Sequence, residues 1–156
     1  HGSRDKKTFT YVGTNSRLDE LQAAALRLFL GELEGWNRAR REAAARYAEL
    51  GLGEYCELPE DEPGHVYHMY VVRTPERTRL AAALTTAGIG NASYYVTPTH
   101  LQPALKPLGH EEGSLPETER ASRENLALPM WAGIPEDVQE RVVSVVREAS
   151  SVKAAS

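Results

Sequence analysis

The apolar positions of this chain fall first into two stretches with helical spacing. Leu18, Leu21, Gln22, Ala25, Leu28 and Phe29 form one stripe, and Asn15-Ser16-Arg17-Leu18-Asp19-Glu20 leads into it. Ser16 is expected to cap this helix, with Asp19 three residues later closing a variant of the capping box. Asp19 and Glu20 add negative charge where the helix dipole favours it. The small run Ala23-Ala24-Ala25 would let another backbone approach closely. A second helix resumes through Leu33, Trp36, Arg40, Ala44, Tyr47 and Leu50, and Gly51 and Gly53 end it.

The pattern then shortens. Glu57 to Gly64 is acidic and broken by prolines, so it reads as a surface loop. His65 to Arg73 is aromatic and β-branched, which predicts a strand. Thr74-Pro75 opens a third helix with a buried stripe of Leu80, Ala83, Leu84 and Ala87, stopped by Gly88. Ile89 to Val96 is expected to return as a second strand. Pro98 to Gly113 is a proline-rich loop, Pro116 to Leu126 a helix, and Leu128 to Trp131 extended. Pro135 opens the last helix, with Val138, Val142 and Val145 on one face, and Ser150 to Ser156 should fray. The order predicts an α+β lobe: long N-terminal helices, then a small, mainly antiparallel sheet covered by helices. The first helices have no strand partner in the chain, so they are expected to face something outside it.

Composition narrows the class. The chain has 156 residues, 41% hydrophobic and 26% charged, which suits a globular domain or one lobe of a larger enzyme. No apolar run approaches the roughly 20 residues that span a bilayer. A formal net charge of -4 argues against a general nucleic-acid binder. Cys56 is the only cysteine, so neither an intrachain disulfide nor a cysteine zinc cluster can form. That and the lack of an apolar leader at the start suit a cytoplasmic protein. His1 is not an initiator methionine and is not expected to be the native N-terminus.

Few residues offer chemistry. On a strand, His65 and His68 would point to opposite faces and could not share a metal ion. There is no nucleophile elbow, P-loop or dinucleotide fingerprint. None of the four lysines sits in an apolar setting that would desolvate its amine for Schiff-base work. Two stretches stand out. Gly13-Thr14-Asn15-Ser16-Arg17 would bring backbone N–H groups, an amide and a guanidinium together at a helix start, which suits an oxyanion; simple capping with Arg17 exposed explains it as well. Tyr95-Val96-Thr97-Pro98-Thr99-His100-Leu101-Gln102-Pro103 puts a phenol, hydroxyls, an imidazole and an amide on a proline-stiffened loop, suited either to binding or to a plain surface.

Taken in order, "HGSRDK…GTNSRLDELQAA", "RYAEL", "HVYHMYVVR", "YYVTPTHLQP" and "LALPMWAGIPEDV" resemble the C-terminal part of the DegT/DnrJ/EryC1/StrS sugar aminotransferases, fold-type-I enzymes dependent on pyridoxal 5′-phosphate. The resemblance runs from His1 to about Glu148. It implies that Asn15 reaches the cofactor phosphate of the other subunit of a homodimer, and that Arg17, His100 and Tyr95 bind the substrate. It implies a reaction that moves an amino group from an amino acid, usually glutamate, to a nucleotide-diphosphate keto-sugar in deoxysugar or antibiotic biosynthesis. The Schiff-base lysine and the acidic partner of the pyridine nitrogen would lie upstream of His1, so this chain would hold no catalytic residue and no metal. Ala132 departs from the family's usual proline.

On that resemblance, residues 1–14 are an active-site loop segment and 15–53 a helical connection to an N-terminal large domain. Residues 54–149 are then the small C-terminal domain and 150–156 a tail. Two other readings remain: a dehydratase of the same family lacking the catalytic lysine, or a non-catalytic binding or dimerisation module.

Overall fold

A computed structural model describes residues 2–5 and 7–151. The expectations placed on His1 and on the tail beyond Ser151 lie outside the described residues. The chain forms two compact units: one from the residues up to Gly31 with Tyr94–Arg123, the other from Glu32–Ser93 with the residues from Glu124 onward.

The larger unit carries the main core. Helix α2 (Leu33–Glu49) buries Ala43, Ala44 and Tyr47, and the chain turns out of it through Gly51 at φ 81°, a left-handed conformation that glycine adopts without strain. Strands β1 (Tyr70–Arg73) and β2 (Asn125–Leu128) pair antiparallel, with Tyr70 opposite Leu128 and Val72 opposite Leu126. Tyr70 and Val72 are both buried in β1, the period-2 pattern of a strand with one face on the core. Helix α3 (Arg77–Thr86) contributes Leu80 and Leu84 to that core, and helix α5 (Glu136–Ser151) contributes Val142, Val143 and Val146. The Tyr47 and Tyr70 rings stack at 4.9 Å, and the Tyr47 hydroxyl donates to the Pro129 carbonyl at 2.9 Å. Gln139 lies wholly buried in α5, where its amide donates to the Ala43 carbonyl at 2.8 Å.

The α+β architecture holds, with three local corrections. The strand expected over His65 to Arg73 is only its last four residues. Tyr67 sits at φ 45° with its N–H donated to His65 Nδ1, and Arg40 takes the Val66 carbonyl, so side chains have claimed the groups a ladder would need. The return strand over Ile89 to Val96 shrinks to one bridge, Ala92 with Ala127. Here the Asn91 amide hooks onto the Ala81 and Ile89 carbonyls, and Ser93 Oγ donates to the Asn125 carbonyl in place of a backbone N–H. The helix expected over Pro116 to Leu126 ends at Glu124, because Asn125 and Leu126 belong to β2.

The smaller unit contains helix α1 (Glu20–Phe29) and most of helix α4 (Pro116–Glu124). No residue of α1 is buried, and Leu21 and Leu28 are more than 80% exposed. Between Tyr94 and α4 the chain makes two tight 3₁₀ turns, Thr99–Leu101 and Pro103–Leu108. Among the described residues, no helix is long and apolar enough to cross a membrane.

Candidate functional site

The smaller unit is built around one side chain. Gln102 is buried between the two 3₁₀ turns, with extended backbone angles. Its Oε1 accepts the Phe9 N–H at 3.0 Å, and its Nε2 donates to the Lys7 carbonyl at 3.1 Å and the Thr97 carbonyl at 3.4 Å. The Ala104 N–H donates to the Phe9 carbonyl at 2.9 Å. Segment 7–9 is thereby bonded to the 97–104 loop much as a strand is bonded to its neighbour. Beside them opens a mainly apolar hollow of about 290 Å³, lined by Phe9, Tyr11, Val12, Gly13, Tyr95, Thr97, Thr99, Gln102, Ala104 and Leu105. Aromatic rings and threonine hydroxyls line the same hollow.

Of the four expected site residues, only Tyr95 lines this cavity, and it is 62% exposed. Asn15 and Arg17 follow the cavity residue Gly13 on an irregular, fully exposed segment. Neither side chain has a hydrogen bond or ion pair among the described residues. The helix starts further along the chain than expected. Helix α1 begins at Glu20, its cap is Asp19, whose Oδ1 accepts the Gln22 N–H at 2.8 Å, and Ser16 caps nothing. Gln22 Oε1 in turn accepts the Leu18 N–H at 2.9 Å, and Leu18 lies at φ 70°. The acidic cap occupies the helix N-terminus, so any anion at Asn15 and Arg17 must be held by their side chains and the free backbone beside them. An unpartnered amide and guanidinium are the right donors for a phosphate.

His100 is placed differently. It is 7% exposed, and its Nε2 lies 3.2 Å from Glu119 Oε1. Glu119 is itself buried in the first turns of α4 and accepts the Gly113 N–H at 2.8 and 2.9 Å and the Leu115 N–H at 3.3 Å. The Gly113 N–H above all, with Leu115 and His100, holds the Glu119 carboxyl below the ordinary range against the opposing effect of burial. Sequence reasoning missed Glu119; the available signal was an acidic residue early in a helix that follows a glycine. The two described lysines, Lys7 and Lys106, are exposed, and no group of three or more His, Cys, Asp or Glu among the described residues could hold a metal ion.

The small antiparallel sheet and its helices belong to a fold shared with solved fold-type-I aminotransferases. The DegT/DnrJ/EryC1/StrS aminotransferase family model matches residues 1–147, and the chain belongs to that family. It is 42% identical over 95% of its length to a pleiotropic regulatory protein of Geobacillus stearothermophilus, and 39% identical over 95% to a dTDP-3-amino-3,4,6-trideoxy-alpha-D-glucose transaminase of Streptomyces venezuelae. It covers 41% and 40% of those two proteins. The crystal structure of S. venezuelae DesV in complex with a ketimine intermediate superposes with a TM-score of 0.79 at 40% identity, covering 94% of this chain and 40% of that one. The chain therefore spans about two fifths of the length of the proteins it matches.

Proposed function

We propose that this chain is the C-terminal portion of a pyridoxal 5′-phosphate-dependent aminotransferase that moves an amino group from an amino acid, glutamate, to a nucleotide-linked keto-deoxysugar. The observation that carries the reading is the family match across residues 1–147, joined by similarity to a named sugar transaminase over nearly the whole chain. The cofactor supplies the electron sink and the carrier of the amino group when bound. Its Schiff-base lysine belongs to the upstream part of the protein.

The chain's own residues have three tasks in this reading. Asn15 donates its amide to the cofactor phosphate of the neighbouring subunit, which its exposure and its lack of another partner among the described residues permit. Arg17 supplies a charge for the same region or for the diphosphate of the substrate. Tyr95 and His100 bind the sugar nucleotide; Tyr95 lines the cavity, and His100 lies on the same 97–104 loop as the lining residues Thr97, Thr99 and Gln102. The protein works as a homodimer with shared active sites, and the bare apolar side of α1 is consistent with burial in the complete assembly. A free thiol at Cys56 suits the cytoplasm.

The test is to express the protein with its upstream sequence and incubate it with glutamate and a panel of dTDP- and UDP-linked keto-sugars. Visible cofactor absorbance and an aminated sugar nucleotide are the expected results. Absorbance with loss of a sugar hydroxyl and no amination would mark the dehydratase reading, and neither signal would mark a non-catalytic module.

A further inference from the structure

His65 belongs to the larger unit and makes a contact that depends on its charge. Its Nδ1 accepts the Tyr67 N–H at 3.1 Å, and its own backbone N–H donates to the Glu62 carbonyl at 3.0 Å. A ring nitrogen that accepts carries no proton, so the neutral ring holds its proton on Nε2. The ring is half-buried, and its centroid lies 4.0 Å from that of Tyr67.

Tyr67 is a residue that has to be held. It is buried at φ 45°, a left-handed conformation that bulky side chains rarely adopt. Three groups pin it and its neighbour. His65 Nδ1 takes the Tyr67 N–H, Asp61 Oδ1 accepts the Tyr67 hydroxyl at 2.8 Å, and Arg40 Nε on α2 donates to the Val66 carbonyl at 2.8 Å. Asp61 and Arg40 are the charged side chains that these contacts bring to the turn, one from the acidic loop and one from the helix. Burial, and then the Asp61 carboxylate, pushes the Tyr67 hydroxyl up to about 12, so the phenol stays a donor at neutral and mildly acid pH. An imidazole is the kind of side chain that changes its charge between about pH 5 and 8. The face of Tyr67 attracts a cation, so a charged ring keeps its place. The hydrogen bond is lost all the same, because a proton on Nδ1 turns N–H toward N–H.

We propose that His65 is a pH-sensitive latch on the 61–67 turn: when neutral it closes the turn through the Tyr67 N–H, and when protonated it releases that backbone group just ahead of β1. Asp61 and Arg40 keep the two flanks in place, so the release is local. The latch does not depend on the aminotransferase reading.

The experiment uses the full-length protein with ¹⁵N-labelled histidine, as wild type, His65→Asn and His65→Phe, with His65→Asn assigning the ring signal. At about pH 8 the wild-type ring should show a bare Nδ1 and a proton on Nε2, with the Tyr67 amide protected from exchange. At about pH 5 the protection factor of that amide should fall by about fivefold, the scale of one hydrogen bond, and with the same midpoint as the ring shifts. Asparagine offers an acceptor that does not titrate, so His65→Asn should keep the amide protected at both pH values. Phenylalanine keeps a ring against Tyr67 and accepts nothing, so His65→Phe should lose protection at both. The Arg73 amide, bonded to the Glu57 carbonyl at 2.9 Å, should stay protected throughout. Equal protection of the wild-type Tyr67 amide at the two pH values, or a His65→Asn protein that still responds to pH, overturns the latch. Loss at Arg73 in step with Tyr67 marks general acid unfolding and overturns it too. So does a proton on Nδ1 at about pH 8, a wild-type result that stands whether or not either variant folds.

Discussion

Gln102 stands in for a strand neighbour of Phe9. Its amide oxygen takes the Phe9 N–H at 3.0 Å while its amide nitrogen gives a hydrogen bond to the Lys7 carbonyl two residues away, although Phe9 and Gln102 are 93 positions apart in the chain. One side chain thus satisfies both a donor and an acceptor of the 7–9 segment, and it sets one wall of the cavity.

Replacing Gln102 by Ala should therefore expose the cost of those orphaned groups, about 1–3 kcal/mol. Gln102→Glu should be worse, because it sets a second acceptor against the Lys7 and Thr97 carbonyls. Hydrogen exchange at the Phe9 amide is the measurement, and unaltered protection in both variants would contradict the bracing role.

Gly2 is held where no other residue fits. It lies at φ 82°, and a Cβ there would stand 1.8 Å from the Tyr11 carbonyl oxygen. Gly2→Ala should push the Tyr11 segment away from the loop and cost on the order of 1–3 kcal/mol in local strain. Loss of protection at the Thr10 amide, which donates to the Gly2 carbonyl at 3.0 Å, would report it.

Asp5 folds its own loop around itself. Its Oδ1 accepts the Lys7 and Thr8 N–H groups and the Ser3 hydroxyl, with the Thr8 contact foremost in lowering its pKa from 3.8 to about 2. A folded pKa below the unfolded value means the loop's contribution is present above about 3.8 and disappears as the pH falls through about 2. A carboxyl carbon NMR titration should give a midpoint near 2, and a midpoint near 3.8 would show that the loop does not hold.

Burial pushes the Cys56 thiol up to about 11. At pH 8 a disulfide reagent should label the native protein slowly and the denatured protein at once. Equal rates would place the thiol at the surface.

In the full-length protein, Asn15→Ala should weaken cofactor retention by about 1–3 kcal/mol, the range for a hydrogen bond to a charged group. Equilibrium dialysis of the cofactor measures it, and unchanged affinity would remove Asn15 from the phosphate site.

The first helix shows how far local pattern reaches. Ser16 with Asp19 and Asp19 with Gln22 are overlapping frames of the same capping motif, one register apart by three residues. Only the first was expected. The chain uses the second, with Leu18 turned to φ 70° so that Gln22 can reach back to its N–H. In the same way His65 to Arg73 has strand composition throughout, and only the four residues that find β2 become a strand. In α5, Val142 is buried as the stripe predicted, while Val138 and Val145 are only half-buried and Val143, Val146 and Gln139 fill the core. A polar Gln139 inside is invisible to a hydrophobic stripe, because its burial depends on the Ala43 carbonyl.

By itself the sequence determined what is local and what is written in motifs: the helical stripes, the glycine stops, the α+β order and the family that its ordered segments resemble. The tertiary structure decided which polar groups lose water and what they meet there. It buried His100 against Glu119 and Gln102 against segment 7–9, and it left Asn15 and Arg17 in the open. The reason is range. Helix and turn signals act over three or four residues, whereas the cost of stranding a buried donor or acceptor is settled by partners that only the folded chain brings within hydrogen-bonding distance.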